Sequence, residues 1–268
     1  MRIISTMDDD YYHFSGKILL DSIVKYLPAA EVIIYEDFIN PNLAKEIIES
    51  FSDLNLSFIR VDKLPEFLRV FEANVDIIPE KLGGSLSDLN KLTNWNLRWS
   101  GWFRKVVMQH DAICNLQYEG YTLFVDSDIM ITKTFDDKFI ESHLRKSVGL
   151  FLGNRACVES SLIIVDGKRK EEAKQVYQYF LGLFTSGQFR KLKRWDDSYT
   201  ITKVFNKYPN LIHDFGQGKV AISYVSKSPH GRKASGQIIP NTVWKDYIDH
   251  NKGIHWRKKV GSATFFKK

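Results

Sequence analysis

Two carboxylates flank a small residue where an apolar run ends, in Tyr121-Thr122-Leu123-Phe124-Val125-Asp126-Ser127-Asp128. The run reads as a buried strand and the aspartates as the turn that leaves its carboxyl end. Oxygen ligands on such a turn suit a hard divalent cation, whose remaining positions stay open to a ligand's phosphates. Asp-x-Asp alone is a weak pattern, since a chain of this size carries on the order of one copy by chance. Asp8-Asp9-Asp10 is a second copy here, so the surrounding elements must carry the argument.

Those elements begin as alternating strand and helix: a strand from Arg2 to Thr6, a helix from Ser15 to Tyr26 and a strand from Glu31 to Tyr35. This is a parallel α/β beginning. Asn40 as N-cap, Pro41 at the first helical position and the stripe Leu43, Ile47, Ile48 and Phe51 predict a helix over 41–52. Leu56 to Val61 reads as a strand and Leu64 to Phe71 as a short helix, whereas Asp76 to Trp95, with Gly83-Gly84, reads as an irregular insertion of the lid type. Trp99, Trp102, Phe103, Val106, Ile113 and Leu116 recur at helical spacing and predict an amphipathic helix over 98–116, with its tryptophans in the core. Beyond Asp128, strands are expected at 147–152 and 160–165 and helices at 169–184 and 197–206; the chain after Leu211 is turn-rich. No repeat, linker or composition break divides the chain, which points to one continuous sheet. Both acidic turns then fall at carboxyl ends of strands, where ligands sit in an open α/β sheet, and converge on one crevice.

With 44% hydrophobic content over 268 residues, the chain can bury the core of one compact globule. The formal charge of +6 and a pI near 9.1 favour an anionic partner without naming it. Basic residues collect at Lys168-Arg169-Lys170, at Arg190-Lys191-Leu192-Lys193-Arg194 and from Arg257 to Lys268. Such clusters suit nucleotide diphosphates, anionic glycans or an acidic membrane surface, and the bland alternative is a solvated face. A nucleic-acid-binding module would use the same charge, but no nucleic-acid motif is recognisable and acidic turns at the crevice would repel a polyanion. Nucleic acid is therefore not among the expected partners. Cys114 and Cys157 make no disulfide framework, which suggests a reducing, cytoplasmic compartment and no role for either thiol. No apolar run approaches the ~18 residues of a membrane span, although the tail Thr264-Phe265-Phe266-Lys267-Lys268 leaves peripheral membrane contact open.

Three separated motifs resemble glycosyltransferases of the GT-A fold, most nearly family 8, the glycogenin and lipopolysaccharide galactosyltransferase group. Thr6-Met7-Asp8-Asp9-Asp10-Tyr11 is similar to that family's first-strand turn, Asp126-Ser127-Asp128 to its metal motif, and Trp195-Asp196-Asp197-Ser198 to its later acidic motif before a helix. The resemblance implies a Rossmann-like, mixed but mainly parallel sheet flanked by helices in a single continuous domain. Residues 1–128 would be the nucleotide-sugar half and 129–268 the acceptor half, with a metal and phosphate segment at the end. It implies a hexosyl- or pentosyltransferase that moves sugar from a nucleotide diphosphate donor, with a UDP-sugar favoured, to a glycan or similar hydroxyl, with Mn²⁺ or Mg²⁺ between the aspartates and the diphosphate. By the same resemblance Asp8 would touch the base or ribose, Tyr11 would stack on the base, and Asp10 would lie near the donor sugar. Thr6 and Ser127 belong to the donor-binding motifs, and Lys105, with Arg104 as its rival, would approach that sugar. A sugar nucleotidyltransferase is the nearest enzymatic alternative. It would need a glycine-rich loop with arginine after the first strand, and residues 7–14 have none.

The family's carboxy-terminal metal histidine and diphosphate lysine are matched less well. Ile254-His255-Trp256-Arg257-Lys258-Lys259 stands at the expected place and makes His255 the preferred ligand and Lys258 the diphosphate contact, but it lacks the family's glycine and spacing. His213 and His230 are the other candidates. Val158-Glu159-Ser160-Ser161 replaces a motif built on asparagine and glycine, and Asp196 stands where the family has glutamine. Either change adds a carboxylate that could deprotonate the acceptor for inversion, or attack the donor on the way to retention. Family 8 implies retention. The residues favour inversion on economy, with Asp197 as base, followed by Asp196 and Glu159; the structural alternative for Asp196 and Asp197 is a helix cap.

Overall fold

The computed structural model describes residues 1–77, 99–151, 158–216 and 242–250. In chain order it contains β1 (Arg2–Met7), α1 (Lys17–Tyr26), β2 (Glu31–Glu36), α2 (Leu43–Ser50), β3 (Asn55–Arg60), α3 (Pro65–Glu72), α4 (Trp99–Cys114), β4 (Tyr121–Val125), β5 (Ile129–Ile131), α5 (Asp137–His143), β6 (Val148–Phe151), β7 (Glu159–Asp166), α6 (Lys170–Thr185), α7 (Asp197–Lys207), β8 (Ile212–Asp214) and β9 (Ile248–His250). Seven strands form one sheet in the order β3-β2-β1-β4-β7-β6-β8, while β5 and β9 pair as a separate antiparallel ribbon. β7 is antiparallel to both neighbours, and every other pairing in the main sheet is parallel.

The central strands are apolar on both faces because helices cover both. Ile3, Val32, Ile34 and Leu123 face one core with Leu19 of α1, Ile47 of α2 and Ile140 of α5. Ile4, Tyr35, Phe124 and Ile163 face the other with Val70 of α3, Val106 of α4, Val176 of α6 and Val204 of α7. The mixed, mainly parallel sheet flanked by helices is the architecture expected from the sequence.

Six co-directional strands place their carboxyl ends along one edge, and the reversed β7 presents its amino end there. Val125 pairs with Leu162, and the Asp126 amide donates to the Ser161 carbonyl at 2.9 Å. The residues that open β7 therefore sit beside the aspartates that leave β4.

The helix expected over 41–52 covers 43–50. Asn40 does not cap it. Its side chain accepts from the Asn42 amide at 3.0 Å and its carbonyl from Leu43 at 3.2 Å, so Asn40 to Asn42 form a turn ahead of the helix. Asp9 holds that turn in place by accepting from the amides of Ile39 (2.7 Å) and Asn40 (3.2 Å). Trp102 is half-buried against the core rather than inside it. Most of the expected lid lies outside the described residues.

α4 is fastened to the sheet by a polar contact inside an apolar layer. The Tyr35 hydroxyl donates to Asp111 Oδ2 at 2.6 Å, and Asn115 Nδ2 donates to Asp111 Oδ1 at 2.7 Å. Burial first, and then the Asp111 acceptor, push the Tyr35 phenol far above its ordinary value, so it stays protonated and donating. Tyr35→Phe removes one donor from a buried carboxylate and is expected to cost about 1–3 kcal/mol. Urea unfolding should show a lower midpoint with unchanged slope.

Candidate active site

Lys105 is the hub of the edge described above. Neighbouring residues on a helix project about 100° apart, and α4 accordingly sends Arg104 and Lys105 to different places. Arg104 forms an ion pair with Asp37, which follows β2, and the Asp37 amide donates to the carbonyl of Met7 at the end of β1. Lys105 Nζ lies 2.5 Å from Asp126 Oδ1, 2.9 Å from Asp197 Oδ2 and 3.3 Å from Ser160 Oγ. The Ser160 hydroxyl donates to Asp197 Oδ2 at 2.9 Å and is 2.8 Å from Ser198 Oγ. Four elements thus meet at one ammonium: α4, the end of β4, the start of β7 and the start of α7. Burial pulls the Lys105 ammonium down, but the Asp126 and Asp197 carboxylates outweigh it and hold its pKa above that of an ordinary lysine. The side chains of Lys105, Asp126 and Asp197 keep 14%, 21% and 15% exposure, so the cluster is recessed yet reachable.

The turn after β4 is closed by the Ile129 amide donating to the Asp126 carbonyl at 3.1 Å. Ser127 is buried, and Asp126 and Asp128 are half-buried on either side of it. No group of three or more His, Cys, Asp or Glu side chains able to hold a metal occurs among the described residues. Two carboxylates nevertheless fit Mg²⁺ or Mn²⁺, which take one or two carboxylates and complete their shells with water and substrate phosphates. β5 continues from this turn and pairs with β9, setting Ile129 opposite His250, so the chain enters residues 251–268 from beside the aspartates. His255, Lys258 and His230 lie outside the described residues.

The aspartate run after β1 divides its work. Asp8 is buried, and its Oδ1 accepts from the Tyr11 amide at 2.7 Å as the cap of a helical turn over Asp9–Tyr11. Asp9 pins the turn at Ile39 and Asn40. Two of three clustered carboxylates thus have local structural uses, while Thr6, Asp10 and Tyr11 remain half-buried at the same edge. A π-helical stretch, Tyr12–Gly16, then leads into α1. A Cβ at Gly16 would meet Met7 Sδ at 2.6 Å, so a larger residue there would have to displace the end of the Met7 side chain.

His213 stands on β8, where its Nδ1 accepts from the Arg145 amide at 2.9 Å. Burial, followed by the Arg145 charge, lowers its pKa and keeps the ring neutral for that role. Glu159 is the first residue of β7 and pairs with Phe151. Ser160, Ser198 and Asp37 join the edge without having been singled out from the sequence. Ser160 and Ser198 lie within segments read for their carboxylates, where an adjacent hydroxyl was the overlooked signal. A separate cavity of about 420 Å³, lined by Tyr26, Leu27, Pro28, Phe135 and Lys138, lies by the amino ends of β1 and β2 and holds none of these groups.

No protein-family model and no curated protein sequence matches the chain. Solved structures do. Mouse xyloside xylosyltransferase 1 in its apo form superposes with a TM-score of 0.51 at 10% identity, over 80% of this chain and 84% of its own. The chain has the GT-A fold. The glycosyltransferase GlyE of Streptococcus pneumoniae gives 0.48 at 13% identity over 77% of this chain and 43% of GlyE, so the chain spans less than half of that protein. Galactosyltransferase LgtC, solved with donor and acceptor sugar analogs, gives 0.44 at 8% over 76% of this chain and 70% of its own.

In this GT-A chain the Asp196 carboxylate faces its own helix. Its Oδ1 accepts from the Tyr199 amide at 3.0 Å as the N-cap of α7, its Oδ2 accepts from Arg194 Nε at 2.7 Å, and the residue is 3% exposed. Asparagine caps as well as aspartate, whereas loss of a cap costs about 1 kcal/mol. Asp196→Asn keeps the cap but loses the Arg194 acceptor, and is therefore expected to keep near wild-type turnover with a modest loss of stability. Asp196→Ala should lower the thermal midpoint, as read by circular dichroism.

Proposed function

We propose that the chain is a glycosyltransferase that uses a divalent cation and a nucleotide diphosphate sugar, with a UDP-sugar favoured, and transfers the sugar to a glycan or similar hydroxyl. The observation that carries this reading is the convergence of Lys105, Asp126 and Asp197 at the carboxyl edge of a GT-A sheet, where ligands of open α/β sheets bind. Asp126 and Asp128 would hold Mn²⁺ or Mg²⁺. His255 follows His250 by five residues, within ~18 Å of extended chain from the β9 end, and is the proposed further ligand. When bound, the cation acts as a Lewis acid on the leaving diphosphate. Lys105 adds a fixed positive charge beside it, and Lys258 is the further diphosphate contact proposed. Tyr11 would stack on the base and Asp10 would lie near the donor sugar, with Thr6 and Ser127 as further donor contacts, while Arg104 pairs with Asp37 at the same edge. Residues after Asp128 would form the acceptor side. No helix among the described residues is long and apolar enough to cross a membrane.

Release of sugar from a panel of nucleotide sugars in Mn²⁺ tests this directly. A uridine donor should be turned over, and chelation, Asp126→Ala or Asp128→Ala should each lower turnover by about 10²–10³-fold, as expected for loss of a main electrostatic group. Unchanged turnover in a folded variant would contradict the assignment.

The same contacts bear on stereochemistry. An inverting base needs a lone pair within reach of the acceptor hydroxyl. Asp197 Oδ2 accepts from both Lys105 and Ser160, and Asp196 is occupied as a cap. With Asp197 Oδ2 committed to Lys105, we infer that Asp197 positions Lys105 and that the leaving diphosphate takes the acceptor proton as its bond to the anomeric carbon breaks and the acceptor oxygen bonds on the same face, which gives retention; Asp197 Oδ1 as base would give inversion. NMR should show the donor's anomeric configuration in the product; an inverted product would restore Asp197 as the base.

A further inference from the structure

We propose that Lys105 makes cation binding at Asp126 contingent on the donor's diphosphate, an inference that rests on the donor-site reading above. The ammonium is seated 2.5 Å from Asp126 Oδ1, and Asp197 Oδ2 at 2.9 Å with Ser160 Oγ at 3.3 Å hold it from the other side. Ser160 in turn is braced by Ser198 at 2.8 Å. This seat is assembled from four elements, so the ammonium does not leave it as freely as a surface lysine would.

A divalent cation takes a carboxylate oxygen at about 2.1 Å. On Asp126 it would therefore stand on the order of 4 Å from the Lys105 nitrogen, with two like charges facing each other in a recessed site. With Asp128 as the cation's other ligand, three carboxylates face three positive charges, so balance requires the cation and the ammonium to share Asp126. Sharing that one carboxylate at such short range weakens the hold on each.

A diphosphate changes that balance. Its oxygens are acceptors for the cation on one side and for the ammonium on the other, so both cations keep anionic partners when it is present. Cation and diphosphate then bind with positive coupling, and by linkage each raises the other's affinity by the same factor. Uridine offers the same base and ribose without the anionic oxygens, and it should leave cation affinity alone. Lys105 on this account is a positioning residue that keeps the site from filling with metal alone.

The test is Mn²⁺ binding to the full chain, followed by electron paramagnetic resonance with no nucleotide, with uridine and with UDP, corrected for Mn²⁺ held by UDP in solution. In the wild type UDP should tighten Mn²⁺ by at least about tenfold, within the usual range of coupling factors, and uridine by less than about twofold. Lys105→Met should tighten Mn²⁺ about tenfold without nucleotide and shrink the effect of UDP, while Lys105→Arg should retain the wild-type pattern. Equal or weaker nucleotide-free Mn²⁺ binding by folded Lys105→Met would overturn the proposal, and so would equal effects of uridine and UDP on the wild type. If Lys105→Met does not fold, Lys105→Gln carries the same expectation and the same overturning result. Binding of neither Mn²⁺ nor UDP would overturn the donor-site reading itself, whereas independent binding of both would overturn only the coupling.

Discussion

A single recessed ammonium between two carboxylates is the constraint on which this edge of the molecule depends. Asp126 and Asp197 come from distant parts of the chain, and without Lys105 they would face each other as like charges in a recessed site. Removing one partner of such an arrangement is costly because it leaves the others uncompensated. The contact therefore fixes the start of α7 against the end of β4, and the rest of the fold can be read as what brings these side chains within reach.

Two features of the backbone supply that reach. Reversal of β7 delivers Ser160 to the edge where β4 ends, which an all-parallel order would not do. Anchorage of α4 through Tyr35 and Asp111 sets the rotation of the helix that carries Arg104 and Lys105. One turn of that helix addresses both halves of the crevice, with Arg104 toward Asp37 at β2 and Lys105 toward Asp126 and Asp197. The same edge carries the Asp8 to Tyr11 turn, so the groups proposed to contact base, diphosphate and cation are distributed along neighbouring strand ends.

Much of this was legible in the residues. The apolar runs and helical stripes located the main strands and the long helices, because each buries a periodic face against a neighbour. β5, β8 and β9 have three residues each, too few to show a period, and their existence depends on partners remote in sequence. The site was legible in part. The Asp126 turn was readable because an apolar strand led into it, and Lys105 only through the family resemblance. Which of Arg104 and Lys105 meets which aspartate depends on helix rotation, which sequence does not display. The structural uses of Asp8 and Asp9 were hidden for a similar reason, and the cap at Asp196 was readable only as the alternative to a catalytic acid, since a carboxylate at a strand end and one capping a helix are the same residue type in the same kind of segment. Ser160 and Ser198 were passed over because hydroxyls beside stronger charges attract less notice, although here they brace the charged pair.

The central claim is that the edge where Asp126, Asp128 and Lys105 meet is the donor site. Its most direct test is anomalous diffraction from crystals of the chain grown with Mn²⁺ and UDP. The account predicts an Mn²⁺ peak in contact with the carboxylates of Asp126 and Asp128, with the diphosphate beside Lys105 and the uracil toward Tyr11. An Mn²⁺ peak and a diphosphate bound away from β4, with these side chains unengaged, would contradict it.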